Sequence, residues 1–256
     1  MPATLITYTQ SPLETMYVAY RTCYSKFSPE ELWNKAIGFP AGEEIESFLA
    51  EMFKTKHNSP QRHVNFTFAI SGVSRALSHQ LVRHVVGVSH SQQSQRYVDG
   101  KNFTCVSPPS TTKSTYANAD YQMALREANE TYKRLQEFNI ENEDARFILP
   151  NATSTNLVTT FSYEALRNFC HKRLCTQAQW EIRQLAVEMK QEVKKVSPFL
   201  AKYLVSQCQE LADGMCTESI NKNKECWKKR PHKEDLLKQW HHPKLEPAMD
   251  YPMEGC

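Results

Sequence analysis

The chain has 256 residues, of which 40% are hydrophobic and 23% charged, and a formal net charge of +3. That length supports one large or two small domains with a sizeable core, and the composition is that of a soluble globular protein. The small positive balance gives no ground for a nucleic-acid partner. No apolar run is long enough to span a membrane, and the start MPATLITYTQ lacks a basic region followed by an apolar core. The expectation is a cytoplasmic protein with no membrane partner. Eight cysteines are scattered without a CxxC pair, which favours free thiols over a disulfide framework. Seven glycines, none in a GxGxxG or P-loop pattern, count against a Rossmann or Walker nucleotide site.

In chain order, residues 3–8 read as a short strand. Ser11-Pro12 and Ser28-Pro29-Glu30-Glu31 each read as a helix start with proline at the first helical position. A third helix is expected over 42–56, with Ile45, Phe48, Leu49, Met52 and Phe53 on one face. Its charge order, Glu43 and Glu44 early and Lys54 and Lys56 late, suits the helix dipole. Asn58-Ser59-Pro60 signals a turn, and Phe66, Phe68 and Ile70 alternate with Thr67 and Ala69 as in a half-buried strand. That strand runs into an expected helix whose apolar stripe is Leu77, Leu81, Val85 and Val88, with Gln80, Arg83, His84 and Gly87 on its other side. The polar run SHSQQSQR that follows, residues 89–96, is either a solvated loop or one wall of a polar-ligand site.

A polar connection extends from Asp99 to about Ala117. Helices are then expected over 121–138, with Leu125, Ala128, Tyr132, Leu135 and Phe138 inside, and over 155–171, with Leu157, Phe161, Ala165 and Phe169 inside and Thr160, Glu164, Asn168 and His171 opposite. Between them a helical turn at 143–149 stops at Pro150. Thr176-Gln177-Ala178-Gln179 fits a capping box for a helix over 176–193, and a last helix covers 197–212. Arg173 falls at a junction between helices. The basic segment 221–256 is set apart as an extension from a catalytic domain at 1–220.

No HExxH, paired CxxC or carboxylate cluster accompanies the histidines, so no metal site is expected. There is no GxSxG, Cys170 and His171 point apart on a helix, and Cys175 reads as structural even though it precedes a helix start. What is left is a polar set: Arg83, Arg96, Arg146 and Arg173 beside Gln80, Gln92, Ser94, Gln95 and Asn168. Arginine recognises phosphate with a planar, two-pronged set of donors, and amides match the donor–acceptor edge of a pyrimidine or a flavin. Spacing alone does not separate this set from surface arginines in ordinary ion pairs.

The motifs QLVRH, SQQSQRYV, FILP preceded by Arg146, and RLCTQAQWEIR resemble the flavin-dependent thymidylate synthase family. AYRTCYS and HNSPQRHVNFTF are similar to further family segments, and the match runs in order from about residue 15 to 210. The resemblance implies an α+β fold with a central mixed or antiparallel sheet flanked by helices, assembled as a homotetramer with shared active sites. It implies methylation of dUMP to dTMP, with methylenetetrahydrofolate as carbon donor, reduced FAD as hydride donor and NADPH as reductant of the flavin. Residue by residue, it implies that Gln80, Arg83, Gln92, Ser94, Gln95, Arg96, Arg146 and Arg173 hold dUMP, with Arg173 at the uracil ring as the catalytic cation. Ser59, Arg83, His84, Gln92 and Asn168 are the implied FAD contacts.

The chain departs from the family pattern on the flavin side. Val85 stands where the signature has its second arginine, Ser94 comes one residue late with Gln93 at the signature serine position, Ser162-Tyr163-Glu164 replaces Asn-x-Arg, and Arg62 stands where glutamate is common. Arg96, Arg146 and Arg173 are intact. Two other readings stay open at this point: a related pyrimidine-nucleotide modifying enzyme with altered flavin use, and a non-catalytic nucleotide- or RNA-binding relative.

Overall fold

The computed structural model describes residues 2–38, 43–55, 57–100 and 103–210, together with positions 215, 216 and 226. Of the proposed extension, 221–256, all but position 226 lies outside the described residues, as do Lys56 and residues 211–212 of the expected last helix.

Four strands form one antiparallel sheet in the order β1-β2-β4-β3. They are β1 (Ala3–Tyr8), β2 (Asn65–Ser74), β3 (Val88–Gln92) and β4 (Ser154–Ser162). Alternation along β2 buries Phe66, Phe68 and Ile70, as its sequence predicts. Phe66 lies opposite Phe161 of β4, and Ile70 opposite Leu157. Helices α1 (Pro12–Thr22), α2 (Pro29–Ile37), α3 (Glu43–Met52), α8 (Tyr163–Arg173) and α9 (Trp180–Val196) bury side chains in the same core as the strands. The α+β expectation holds, with the sheet antiparallel throughout its described strands. Among the described residues no helix is long and apolar enough to cross a membrane.

Several sequence expectations need correction. The helix after β2 is only α4 (Arg75–Leu81). Val85 is 69% exposed in a turn and Val88 opens β3, so the drawn stripe is split. The run Val85-Val86-Gly87-Val88 explains this: β-branched residues favour strand, and Gly87 takes φ +70, where no helix continues. The polar run is accordingly a strand in its first half, with His90 and Gln92 on its more buried side and Ser89 and Ser91 outward. Residues 155–171 are likewise not one helix but β4 followed by α8. Leu157 and Phe161 are four apart, which satisfies both periods, and the threonine- and valine-rich context STNLVTTFS tips the choice to strand.

The third helix ends at Met52, before its expected lysines. The polar connection contains the short α5 (Pro109–Thr112), and α6 (Thr115–Glu137) starts earlier than expected. Of the expected inner face of α6 only Tyr132 is buried, and Phe138 is 75% exposed. The turn before Pro150 is α7 (Asn142–Ala145) running into a 3-10 turn, Arg146–Ile148. Helix α9 begins later than expected because Gln179, not Thr176, is its cap: the Gln179 side chain accepts from the backbone N–H groups of Glu181 and Ile182. The last helix is two short pieces, α10 (Pro198–Lys202) and α11 (Gln207–Glu210).

Two serines convert strand to helix. Ser74 ends β2 and caps α4, its Oγ accepting from Leu77 N–H. Ser162 ends β4 and caps α8 in the same way, accepting from Ala165 N–H. The two strands are antiparallel, so α4 and α8 leave from opposite ends of the sheet. Eleven residues of α8, about 16 Å of helix, carry its C-terminal Arg173 back to the α4 end.

A Gly87→Ala substitution tests the turn between α4 and β3. A Cβ there would lie 2.5 Å from Ser162 Oγ and 3.2 Å from the Ala165 methyl, at a φ of +70. Relief requires moving the hydroxyl that caps α8, so the expected loss is about 2–3 kcal/mol, from backbone strain plus a weakened cap. Urea unfolding of the two proteins measures it, and an unchanged midpoint would refute the close approach.

Candidate active site

Two side chains predicted from sequence, Arg173 and His84, meet at the end of α8 beside the Gln80 backbone. Arg173 donates from Nε to His84 Nε2 at 3.2 Å and from its terminal nitrogen to the Gln80 carbonyl oxygen at 3.3 Å. Burial pushes the Arg173 pKa down from its ordinary value. The His84 pKa falls to about 4, first because the ring is buried, then because Arg173, Lys172 and His90 disfavour a further positive charge. The imidazole is therefore neutral near pH 7 and serves as an acceptor, which is the role the Arg173 hydrogen bond needs. Its ring packs edge-on against Phe169, centroids 5.0 Å apart. His90 braces the turn, one ring nitrogen 3.1 Å from the His84 carbonyl and the other 3.2 Å from Thr159 Oγ1.

Gln80 donates its amide N–H to the Ala76 carbonyl at 3.3 Å. Gln92 points into the scaffold instead of outward: its amide nitrogen reaches Ser78 Oγ at 2.9 Å and Thr155 Oγ1 at 3.3 Å. Arg83 is exposed and makes no hydrogen bond or ion pair among the described residues. Ser94 Oγ accepts from the Arg96 backbone N–H.

A second group gathers guanidinium charge. Arg96 forks onto Glu143, with Nε 2.7 Å and a terminal nitrogen 2.6 Å from the same carboxylate oxygen. Arg146 donates to the Glu143 backbone carbonyl at 3.0 Å. Beside Arg146 stands Arg75, which sequence reasoning missed. Its pKa is pushed down, mainly by burial and then by the Arg146 charge. Its Nε is buried without a hydrogen-bond partner, and its one recorded bond is a long 3.4 Å contact to the Gln93 carbonyl. The backbone explains the meeting: the first N–H groups of α4, from Arg75 and Ala76, donate to the carbonyls of Thr153 and Asn151, just beyond the segment that carries Arg146. The signal in the sequence was the Ser74 cap, which makes Arg75 the first residue of the helix that also presents Gln80. Two half-buried guanidiniums with an unsatisfied donor make a place that favours an anion.

Of the expected flavin contacts, Ser59 and Asn168 make no hydrogen bond with Arg173 among the described residues, whereas His84 does. Asn168 is on the exposed side of α8, and Ser59 opens the 3-10 segment Ser59–His63. A surface pocket of about 160 Å³ between that segment and α8 is lined by Asn58, Gln61, Glu164, Arg167 and Asn168 among others. Two departures from the family pattern meet here: Arg62 hydrogen-bonds and ion-pairs with Glu164. Cys170 carries no chemistry, being fully buried with its thiol pushed up to about 12 by desolvation. Among the described residues no cluster of three or more His, Cys, Asp or Glu is placed to hold a metal ion.

Comparison with known proteins bears on this geometry. A family profile described as "Thymidylate synthase complementing protein" matches residues 4–199. A flavin-dependent thymidylate synthase of Nitratidesulfovibrio vulgaris is 39% identical over 223 residues, covering 84% of this chain and 90% of the relative. A protein of the same name from Clostridium tetani is 38% identical over 230 residues, covering 84% and 89%. One from Pyrococcus abyssi is 37% identical over 196 residues, covering 75% and 78%.

The His84 environment makes a pH prediction. Folded, His84 stays neutral down to about pH 4; unfolded, it takes up a proton near 6.5. Between those values the unfolded state binds more protons, so the His84 contribution to stability is complete above about pH 6.5 and is lost as pH falls toward 4. A His84→Gln variant keeps a neutral acceptor without the titration. Thermal melts of the ligand-free proteins should show the native chain losing more stability than the variant between pH 7 and pH 4.5. Parallel pH curves would show that folding does not lower the His84 pKa.

Proposed function

The chain belongs to the flavin-dependent thymidylate synthase family, and we infer that the face built by α4, β3 and the end of α8 is where its chemistry takes place. The enzyme methylates dUMP to dTMP, with methylenetetrahydrofolate as the carbon donor. FAD, reduced by NADPH, supplies the hydride when bound. The observation that carries the assignment of the site is the pairing of two features on one short helix. At its start Arg75 stands beside Arg146 with an unsatisfied donor; near its end the Gln80 carbonyl, and just beyond it the His84 ring, meet Arg173.

The roles follow from the chemistry. The dUMP phosphate suits Arg75, Arg96 and Arg146, with Ser94 and Gln95 alongside; Arg96 exchanges the Glu143 carboxylate for the phosphate. The uracil then lies toward Gln80 and Arg173. Methylation at C5 needs electron density on the pyrimidine, and a fixed cation beside the ring favours the form deprotonated at nitrogen. Arg173 is oriented for this by its bonds to His84 and to the Gln80 backbone. No thiol is needed to attack the ring, in keeping with the inert Cys170.

The residues left over fit a large anionic cofactor. Among the described residues Arg83 is an exposed guanidinium without a hydrogen bond or ion pair, and the exposed side chains of Ser59 and Asn168 make no hydrogen bond. These, with the neutral His84, are the proposed FAD contacts; Gln92, whose amide nitrogen is held by Ser78 and Thr155, is left out of the contact set and braces the strand behind it. A homotetramer with sites completed by neighbouring subunits is the proposed assembly; the exposed rings of Tyr97 and Phe147, next to Arg96 and Arg146, offer it a contact surface. The proposed organisation is a catalytic domain at 1–220 with a basic extension at 221–256, in the cytoplasm. Small-molecule substrates are implied by the family. An altered-flavin modifier and a non-catalytic nucleotide- or RNA-binding relative are not favoured, since similarity to named synthases spans 84% of the chain.

Arg75→Ala and Arg146→Ala should each weaken dUMP binding by about 10- to 100-fold, the loss of one charge-assisted contact. Free-protein melting temperatures should stay near the native value, because neither residue fills the core. Calorimetric titration with dUMP, with deoxyuridine as a phosphate-free control, reads this. Equal losses for deoxyuridine would move these arginines away from the phosphate. Arg173→Ala should lower kcat at least about 100-fold at saturating dUMP; an unchanged kcat in dTMP formation would remove Arg173 from the chemistry.

A further inference from the structure

We infer that the Arg62–Glu164 pair is a clasp that sets the flavin-side pocket, and that the cofactor site depends on the contact between the two charges and not on the sign of either. The inference rests on the assignment of Ser59 and Asn168 to FAD. Arg62 belongs to the 3-10 segment that begins at Ser59, and Glu164 belongs to the first turn of α8. The arginine addresses both carboxylate oxygens, with Nε on one and a terminal nitrogen 3.4 Å from the other, which fixes direction as well as distance. Glu164 is the more enclosed partner, its side chain 19% exposed against 58% for Arg62. It lines the same pocket as Asn58 and Asn168. Glu164 and Asn168 are four residues apart on one helix, so their side chains are neighbours on one face. A clasp at 164 therefore sets how far the Ser59 segment stands from Asn168.

A second contact between the same two elements lies beneath it. Gln61 is fully buried, accepts from Arg167 at 2.9 Å and donates to the Tyr20 hydroxyl at 3.1 Å. This inner anchor holds the segment to α8 when the outer clasp is cut, so clasp variants should fold. The remaining charges facing the pocket are already engaged with one another, as Glu210 pairs with both Arg167 and His171. Glu164 sits in the first turn of α8, where an acidic group is favoured by the helix dipole. Reversing the pair keeps the clasp and loses only that smaller term.

The test compares the native protein with Glu164→Gln, Arg62→Gln and the double reversal Arg62→Glu/Glu164→Arg. Each single variant should weaken FAD binding, read by quenching of flavin fluorescence, by about 3- to 10-fold. Calorimetric dUMP affinity should move less than about twofold, since those contacts lie elsewhere. The double reversal should recover FAD affinity to within about threefold of native. Amide hydrogen exchange at residues 59–63, measured without cofactor, should quicken in the single variants and slow again in the reversal. Single variants that bind FAD like the native protein overturn the clasp and leave the flavin assignment standing. A reversal no better than the singles overturns it also, because the two charges then act separately. A native protein that binds dUMP but not FAD removes the flavin assignment and the cofactor role together; unchanged exchange at 59–63 removes the clasp itself.

Discussion

Ser74 and Glu181 form a small buried knot to which the site is referenced. The Ser74 backbone N–H donates to one carboxylate oxygen of Glu181 at 2.7 Å, and its hydroxyl donates to the other at 2.5 Å. The same hydroxyl accepts from Leu77 N–H and so starts α4. Both residues are more than nine-tenths buried. A buried carboxylate is tolerated only where donors meet it, and here those donors lie at the one point where β2 must turn into helix. Sheet, α4 and α9 are thereby fixed to each other, and α4 carries Arg75 at its start and Gln80 in its last turn. A seven-residue helix has little stability of its own; its position comes from this knot and from the Leu77 and Leu81 contacts to the core.

The electrostatics of the site follow from that placement. Guanidiniums cannot crowd together without an answering charge, and in the free protein the answer is partial. Glu143 answers Arg96, and the Gln93 carbonyl only weakly answers Arg75. Arg173 takes a neutral partner instead, an imidazole kept uncharged by burial and by Arg173 itself. That arrangement suits the proposed placement of dUMP, with its phosphate at one end and a developing negative charge on its ring at the other. Both belong to the reaction of the family.

The departures from the family pattern have structural accounts. Val85 and its neighbour Val86 lie in the exposed turn between α4 and β3, where Gly87 lets the chain reverse. Extra length there changes no strand register, because β3 pairs with β4 from Val88 to Gln92 without a shift. Ser162 acts as the cap of α8. Arg62 and Glu164 are a matched pair of opposite charges. The glutamate at 164 thus faces an arginine 102 positions away in sequence.

The sequence by itself determined the fold class, the first strand, the proline-initiated helices, the β2 alternation and the family. These are written in local periodicity, in caps and in motif order, none of which needs a partner far along the chain. It misjudged 82–92 and 155–162 because residues four apart are compatible with a helix and, as alternate positions, with a strand; only pairing between β3 and β4 chooses. It placed Arg173, Arg146, Arg96 and Gln80 in a polar set, but it could not say that Arg173 selects a neutral His84, or that Gln92 faces the scaffold. The Ser74 cap marks Arg75 as a helix start, but what Arg75 faces was out of reach, as was the Arg62–Glu164 contact. What makes a guanidinium functional is what it faces and how little water it keeps, and both are set by chain segments tens of residues away that only tertiary structure brings together.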